Sequence, residues 1–383
     1  PAERKAAKEA GMSWDESMQA DYDAAMESLQ SSTDSYNSSK GTSLSTKGYL
    51  QLIYGKLVNM STYQKLVKNA ILAQHYVNDY QDSLTYTADQ LEQRYQEDPS
   101  DFDVANYEYI YFKGSAASTT DADGNTVQPT EEESAAAKTA AAEAAAAALE
   151  RYQNGETLLA ISKDYEDLGT YSSVDAGSNN GSAMSAWVFD AARTAGEGAV
   201  VTDDPNSYVV VFHSCGRQEY NSVDVRHILF SVDTTSLDTS SETYDADLQA
   251  LKDAAKAKAD DALAQWQANG ATEDAFAALA NELSDDSGSN TNGGLYTEIL
   301  QGQMVTEFND WCFDAARKAG DTGIVYNEGS YTGYHVMYFV GEDIPAWQVS
   351  VENALISSDY AAWLESLVTS ADAQLLDGMS SVG

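Results

Sequence analysis

The chain has 383 residues, enough for several domains with their own cores, and its 43% hydrophobic content excludes wholesale disorder. Its 21 basic and 61 acidic side chains give a net charge of −40, which argues against nucleic acid as a partner, because phosphates would be repelled. The same charge argues against docking on an anionic membrane by charge alone.

The chain opens at PAERKAAKEA without an initiator Met and reads as a mature or trimmed form with any targeting segment removed. SWDE, from Ser13 to Glu16, predicts a capping box opening an amphipathic helix to about Gln30. The Ser/Thr/Gly-rich stretch from Ser31 to Thr46 reads as loop. GYLQLIYGKLV, STYQKLVKNAILAQHYVNDYQ and TADQLEQRYQED follow as helices, the last with Thr87 and Gln90 as a second capping box. Leu66, Ile71, Leu72 and Val77 predict one bundle face.

After Pro99 the pattern changes. NYEYIYF (106–112) reads as a strand, EEESAAAKTAAAEAAAAALERYQNG as a helix closed by Gly155, and 157–167 as a short helix. WVFDAARTAG, from Trp187, reads as another helix, and SYVVVFH as a strand. VDVRHILF then starts the same order again. A long helix to Gly270, the helix DAFAALANEL, a Gly/Ser/Asn loop, WCFDAARKAG from Trp311 and the strand GYHVMYF follow. The near-verbatim return of one segment predicts a duplicated module, each copy a small α+β domain of order β-α-α-loop-α-β. The bland alternative is two alanine-rich helices that converged. VENALISSDYAAWLESLVTS, beyond Pro345, is an amphipathic helix that needs a partner surface. Cys215 and Cys312 fall at non-equivalent places in the copies, imply no disulfide framework and read as small buried hydrophobes. No apolar run reaches the roughly 18 residues of a membrane span.

Four polar residues of the second copy stand out. His227 lies mid-strand in VRHILF and His335 in GYHVMYF; Thr332 precedes the latter strand, and Asp286 lies in LSDDSGS, after a helix and before Gly293 and Gly294. Taken singly, each His reads as a hydrogen-bonded core residue; as a set they read as a site. Two His and one Asp also suit zinc, although no HxxxH or CxxC spacing accompanies them. No Ser on an elbow and no Cys beside these histidines supports a nucleophile triad.

VRHILF, FAALANELSDDSGSNTNGGL, GQMVTEFNDWCFDAARKAG and GYHVMYF, in this order over 222–341, resemble the parvulin-type peptidyl-prolyl cis/trans isomerases. The resemblance implies a polar network of His227, His335, Thr332 and Asp286, and a slot for the proline ring made by Leu295, Met304 and Phe308. GGLY departs from the GGDLG turn of many members. In the first copy the same resemblance aligns Tyr109 with His227, Val209 with His335 and Asn206 with Thr332, and implies an inactive domain.

The flanks resemble those of secreted bacterial foldases, LEQRYQEDPSDFDVANYEYI standing as a linker into the first isomerase-like domain. The fold expected is therefore α+β, two small parvulin-like domains in tandem plus an all-α chaperone lobe. Its domains are 1–103 (helical), 104–219 (degenerate parvulin-like), 220–344 (isomerase) and 345–383 (a C-terminal helix packing on the N-terminal lobe). The function expected is that of an extracytoplasmic foldase without cofactor or metal. Its partners are unfolded or partly folded secreted polypeptides containing X–Pro bonds. No nucleic acid is expected, and a membrane is expected only through a removed N-terminal anchor. The rivals are a non-catalytic holdase or assembly chaperone with both domains vestigial, and an acidic surface adhesin.

Overall fold

The computed structural model describes residues 2–370. Its contacts divide the chain into two units: residues up to Gln90 together with those from Glu352 onward, and Leu91–Val351.

The first unit is helical. It holds α1 (Ala2–Glu9), α2 (Glu16–Lys40), α3 (Thr46–Tyr54), α4 (Met60–Asp82) and the start of α5 (Ala88–Glu97). The expected loop from Ser31 is helix as far as Lys40. Asp15 rather than Ser13 caps α2, its side chain accepting the Met18 N–H at 2.8 Å. Thr33 is buried yet satisfied, because its hydroxyl donates back to the Leu29 carbonyl at 2.9 Å. Gly41, at φ 62°, ends the helix where only a left-handed residue can. The Thr87–Gln90 box forms in both directions. Leu72 and Val77 are buried, but Leu66 is 60% exposed, so the bundle face of α4 is narrower than its sequence pattern. The part of α12 (Ala346–Ser370) in this unit packs on α4, with Trp363 stacked on Tyr80 at 4.1 Å, and Tyr86 donates to Asp359 at 2.9 Å. The expected C-terminal segment to 383 lies partly outside the described residues.

The second unit carries two four-stranded antiparallel sheets. After α5 come β1 (Val104–Phe112), the small hairpin β2 (Thr119–Thr120) and β3 (Thr126–Val127), α6 (Glu131–Gln153), α7 (Leu158–Ser162), β4 (Gly169–Ser178), α8 (Ala183–Val188), β5 (Gly198–Asp203) and β6 (Asn206–Gly216). Then follow β7 (Asn221–Ser231), α9 (Tyr244–Ala268), α10 (Glu273–Leu283), β8 (Leu295–Ile299), α11 (Thr306–Cys312), β9 (Thr322–Asn327) and β10 (Gly333–Pro345). The sheet orders are β4-β1-β6-β5 and β8-β7-β10-β9, which is one topology used twice. Only the central strands were expected. The edge strands β4, β5, β8 and β9 are more polar and escape a reading based on apolar alternation.

In the second sheet Ile228, Phe230, Val336 and Tyr338 pack against Ala255, Ala259, Ala262 and Trp266 of α9 and Phe276, Leu279 and Ala280 of α10. The alanines recur at helical spacing, so α9 lies close to the strands. The other face carries Val225, Met337 and Phe339 against Phe308 and Cys312. Cys312 is buried as expected, whereas Cys215 is exposed.

The repeated segment is not a helix. α8 and α11 stop at Val188 and Cys312, and the FDAAR residues make the turn that follows. Asp190 and Asp314 each accept the N–H two residues on, from Ala192 and Ala316, at 2.9 Å. Arg193 and Arg317 lie over the rings of Trp187 and Trp311 at 4.9 and 3.9 Å. Gly196 and Gly320 donate to Phe212 and Phe339, both at 2.8 Å. The shared letters therefore tie a helix exit to the central strand of each sheet, and good helix formers were a misleading signal.

Candidate active site of the second sheet

β7 and β10 run side by side, with His227 opposite Met337 and His335 opposite Leu229. Alternation turns both histidines to the face that carries Val225 and Met337. Both are buried, at 4% and 3% exposure. Their rings stack at 5.4 Å and 18°, with the two Nδ1 atoms 3.3 Å apart.

The loop after α10 delivers the carboxylate, and it is strapped along the free part of the β7 edge. Asp285 donates its N–H to the Leu229 carbonyl at 2.9 Å, and Leu229 donates to Ser284 Oγ at 3.0 Å. His227 donates its N–H to the Gly294 carbonyl at 2.9 Å. Gly294 sits at φ +70°, and a Cβ there would stand 2.2 Å from the His227 carbonyl oxygen, so both conformation and space demand glycine.

Asp286 is thereby held among donors. Its Oδ2 meets His227 Nε2 at 2.9 Å, accepts from the Ser289 hydroxyl at 2.5 Å and from the Tyr296 hydroxyl at 3.0 Å, while Oδ1 accepts the Gly288 N–H at 3.1 Å. These bonds, that of His227 first, keep its carboxyl well below the usual carboxylate range. Burial, then the Asp286 carboxylate, pushes the Tyr296 hydroxyl up to about 12. Burial, then the neighbouring His227, lowers His335 to about 4, so His335 is neutral near pH 7. Its Nε2 is buried without a hydrogen-bond partner among the described residues.

These groups open on a cavity of about 480 Å³. Leu229, Met304, Val305, Phe308, Tyr296 and Tyr331 supply its apolar lining, beside His227, His335 and Asp286. Phe308 stands edge-on to both imidazoles, at 5.4 and 5.8 Å. Among the described residues no group of His, Cys, Asp and Glu is disposed to hold a metal ion. Both ring nitrogens of His227 are already engaged.

Five of the seven expected residues therefore meet here, and two do not. Thr332 makes no bond to the histidines. Its half-buried hydroxyl donates to the Gly329 carbonyl at 2.6 Å and closes the β9–β10 turn. Thr332 precedes β10, which begins at Gly333, and the same hydroxyl also accepts the Gly329 N–H at 3.0 Å. Leu295 pairs with Arg226, not with the His227 face; its neighbour Tyr296 pairs with Val225 and turns to the cavity. Ser289 and Leu229 also escaped the sequence reading. Ser289 is fully buried in a loop whose composition signals only a turn. Leu229 two residues after His227 was a legible signal, since alternation sets it on the same face.

The first sheet has the same frame without the site. Matching Phe212 to Phe339 through their common turns, and Val210 to Met337, puts Tyr208 at the His335 position and Tyr109 at that of His227. Val209, expected at the His335 position, is buried on the opposite face against α6 and α7. The slip arises because the hairpin loop spans 204–205 in one copy and 328–332 in the other. Tyr109 and Tyr208 meet edge to face at 5.9 Å. Where the second sheet has the Asp286 loop, β4 runs along nearly all of β1, from Ser178 opposite Val104 to Gly169 opposite Phe112.

The sheet, its helices and the histidine–carboxylate cavity define the class. Residues 211–340 match the family model of the PPIC-type PPIASE domain, and this part of the chain is a peptidyl-prolyl isomerase domain of that parvulin type. Among solved structures, the chain is similar to the peptidylprolyl isomerase PrsA from Bacillus anthracis, at 21% identity and a TM-score of 0.24, over 42% of this chain and 64% of that one. It is likewise similar to PrsA from Bacillus cereus, at 21% identity and a TM-score of 0.23, over 42% of this chain and 54% of that one. The matches thus span less than two thirds of either relative. No curated protein sequence matches the chain.

Proposed function

We propose that residues 220–344 catalyse cis/trans isomerisation of X–Pro bonds, with His227, His335 and Asp286 as the polar network and Leu229, Met304 and Phe308 as the slot for the proline ring. One observation carries this reading: an ionised carboxylate and a histidine pair, one ring neutral, border a cavity of about 480 Å³ whose remaining lining is mainly apolar.

The reaction needs no covalent step. Rotation about the X–Pro bond faces a barrier of about 18–20 kcal/mol, which amide resonance creates. An apolar slot removes water from the amide, and the twisted bond loses C–N double-bond character. Asp286 can only accept, so Nε2 of His227 carries a proton. His335 is neutral, so of the two facing Nδ1 atoms one donates to the other, the direction set by the tautomer. The network then offers a fixed polarity to the twisting imide rather than a nucleophile, and no cofactor enters.

The rest of the chain is proposed to serve a foldase outside the cytoplasm. The first sheet, within 104–219, is a non-catalytic copy, supported by the Tyr109–Tyr208 pair and the loss of the carboxylate loop. The helices of 1–103 with 345–383 bind unfolded secreted polypeptides, supported by the packing of Trp363 on Tyr80, which joins the two segments in one unit. Abundant Tyr, Ser and Thr suits a location outside the cytoplasm. Isomerisation of a short Ala–Pro peptide, followed by coupled proteolysis, tests the catalytic part. Turnover lost in His335→Ala is the expected result. An intact chain without turnover that still suppresses aggregation of unfolded proteins would leave the holdase in its stead.

A further inference from the structure

We infer that the segment 35–78 of the helical unit docks on an anionic lipid bilayer, with Leu57 as its inserting tip. In a chain of net charge −40, this segment contains no Asp or Glu and carries Lys40, Lys47, Lys56, Lys65 and Lys68, all exposed. Among the described residues no carboxylate is paired with these lysines: Lys5 meets Glu9, and His75 meets Asp21. Only Lys68 is otherwise engaged, over the rings of Trp14 and Tyr22. Of the acids on the neighbouring α2, Asp23 and Asp34 are bonded to Gln19 and Gln30, and α2 lines the adjoining groove with Ala25, Ser28, Leu29 and Ser32.

Within this basic island lies the densest run of exposed apolar side chains in the unit. Leu52, Ile53 and Tyr54 end α3 at 53%, 52% and 64% exposure, and Leu57 in the next loop is 97% exposed. Tyr54 meets Tyr63 at 6.5 Å, and Leu66, one turn beyond on α4, extends the patch. Contiguous apolar surface rimmed by charge marks an interaction site. Ile53 and Tyr54 also line the adjoining groove, but Leu57 does not, and a side chain so free can enter the interfacial layer of a bilayer, with lysine stems beside it.

The net charge does not oppose this. Screening limits electrostatic reach to about 8–10 Å near physiological salt, and two acids of α2 that border the segment are engaged, Asp21 by His75 at 2.7 Å and Asp34 by Gln30 at 3.0 Å.

The test is co-sedimentation of the full chain at about 0.1 M salt with vesicles of equal parts phosphatidylglycerol and phosphatidylcholine, against phosphatidylcholine alone. Binding to the anionic vesicles only is expected. Lys47→Gln, Lys56→Gln and Lys65→Gln together should weaken it at least tenfold, since each lysine beside an anionic surface contributes roughly fivefold. Leu57→Asp should weaken it at least tenfold too, and the milder Leu57→Ser serves if that variant melts early. Equal binding to neutral vesicles, no binding, or variants that bind like the parent overturns the inference. So does capture of a denatured acidic polypeptide by the lysine-rich face with no vesicle bound, which would give the patch to protein partners.

Discussion

Tyr208 stands in the first sheet at the register position that His335 holds in the second. Both lie on the central strand that follows the β-hairpin, and each meets an aromatic ring from the neighbouring strand, Tyr109 or His227. One frame thus carries either a phenol pair or a titratable pair. In the second pair His227 is bonded to a carboxylate, that of Asp286, at 2.9 Å.

The two sheets should therefore respond differently to the same change. His335→Ala or Asp286→Ala should lower turnover of an Ala–Pro peptide at least about tenfold, as expected for groups acting on the transition state. Tyr208→Ala should leave it unchanged. Far-ultraviolet circular dichroism checks that the folds survive. Parent-like turnover in both of the first two variants would remove these residues from the mechanism.

The pH dependence follows from His335. Its folded-state value, about 4, lies below the ordinary 6.5, so burial favours the neutral ring. Its contribution to stability is complete above about pH 6.5 and is lost as pH falls through 6.5 towards 4. Turnover should accordingly be flat from pH 7.5 down to about 6 as far as this ring is concerned. Nuclear magnetic resonance titration of the His335 ring decides the matter. A midpoint at or above 6.5 contradicts the burial argument.

Substrate choice should be independent of phosphate. The segment from Ser231 to Asp247 has no Lys or Arg and carries Asp233, Asp238, Glu242, Asp245 and Asp247. Arg226 is occupied on the opposite face by Glu273 at 2.9 Å and by the carbonyls of Asn292 and Gly293. A phosphate of about −1.5 to −2 charges finds no fork to bind it. Alanine–proline should turn over faster than phosphoserine–proline, and added salt should narrow the gap. The reverse order in a peptide series would refute this.

In the helical unit, Trp363 is the test of how the C-terminal helix is held. It stacks on Tyr80 at 4.1 Å and tilts on Tyr76 at 5.5 Å. Trp363→Ala should cost the unit roughly 1–3 kcal/mol, through lost stacking and partial burial. The melting of a chain truncated after Val351 should shift in the same direction and further. An unmoved transition for the N-terminal helices in either variant shows that α12 does not stabilise them.

How much of this was legible in the sequence depends on the kind of order involved. Alternation along VRHILF and GYHVMYF sufficed to put His227 and His335 on buried strands, because a strand's two faces are written into every second residue. The duplication was legible in the Trp187 and Trp311 segments, and Asp286 in its loop between a helix and a glycine pair. Tertiary structure decided the rest. Leu295 missed the site by one residue of parity, which only the pairing register reveals, and Thr332 missed it because its hydroxyl closes the β9–β10 turn. The edge strands formed because β1, β6, β7 and β10 offered them hydrogen bonds, not because their own residues demanded it. Ser289 and Tyr296 joined Asp286 because a loop held against β7, with Gly294 at its close approach, brought together residues that no local rule relates.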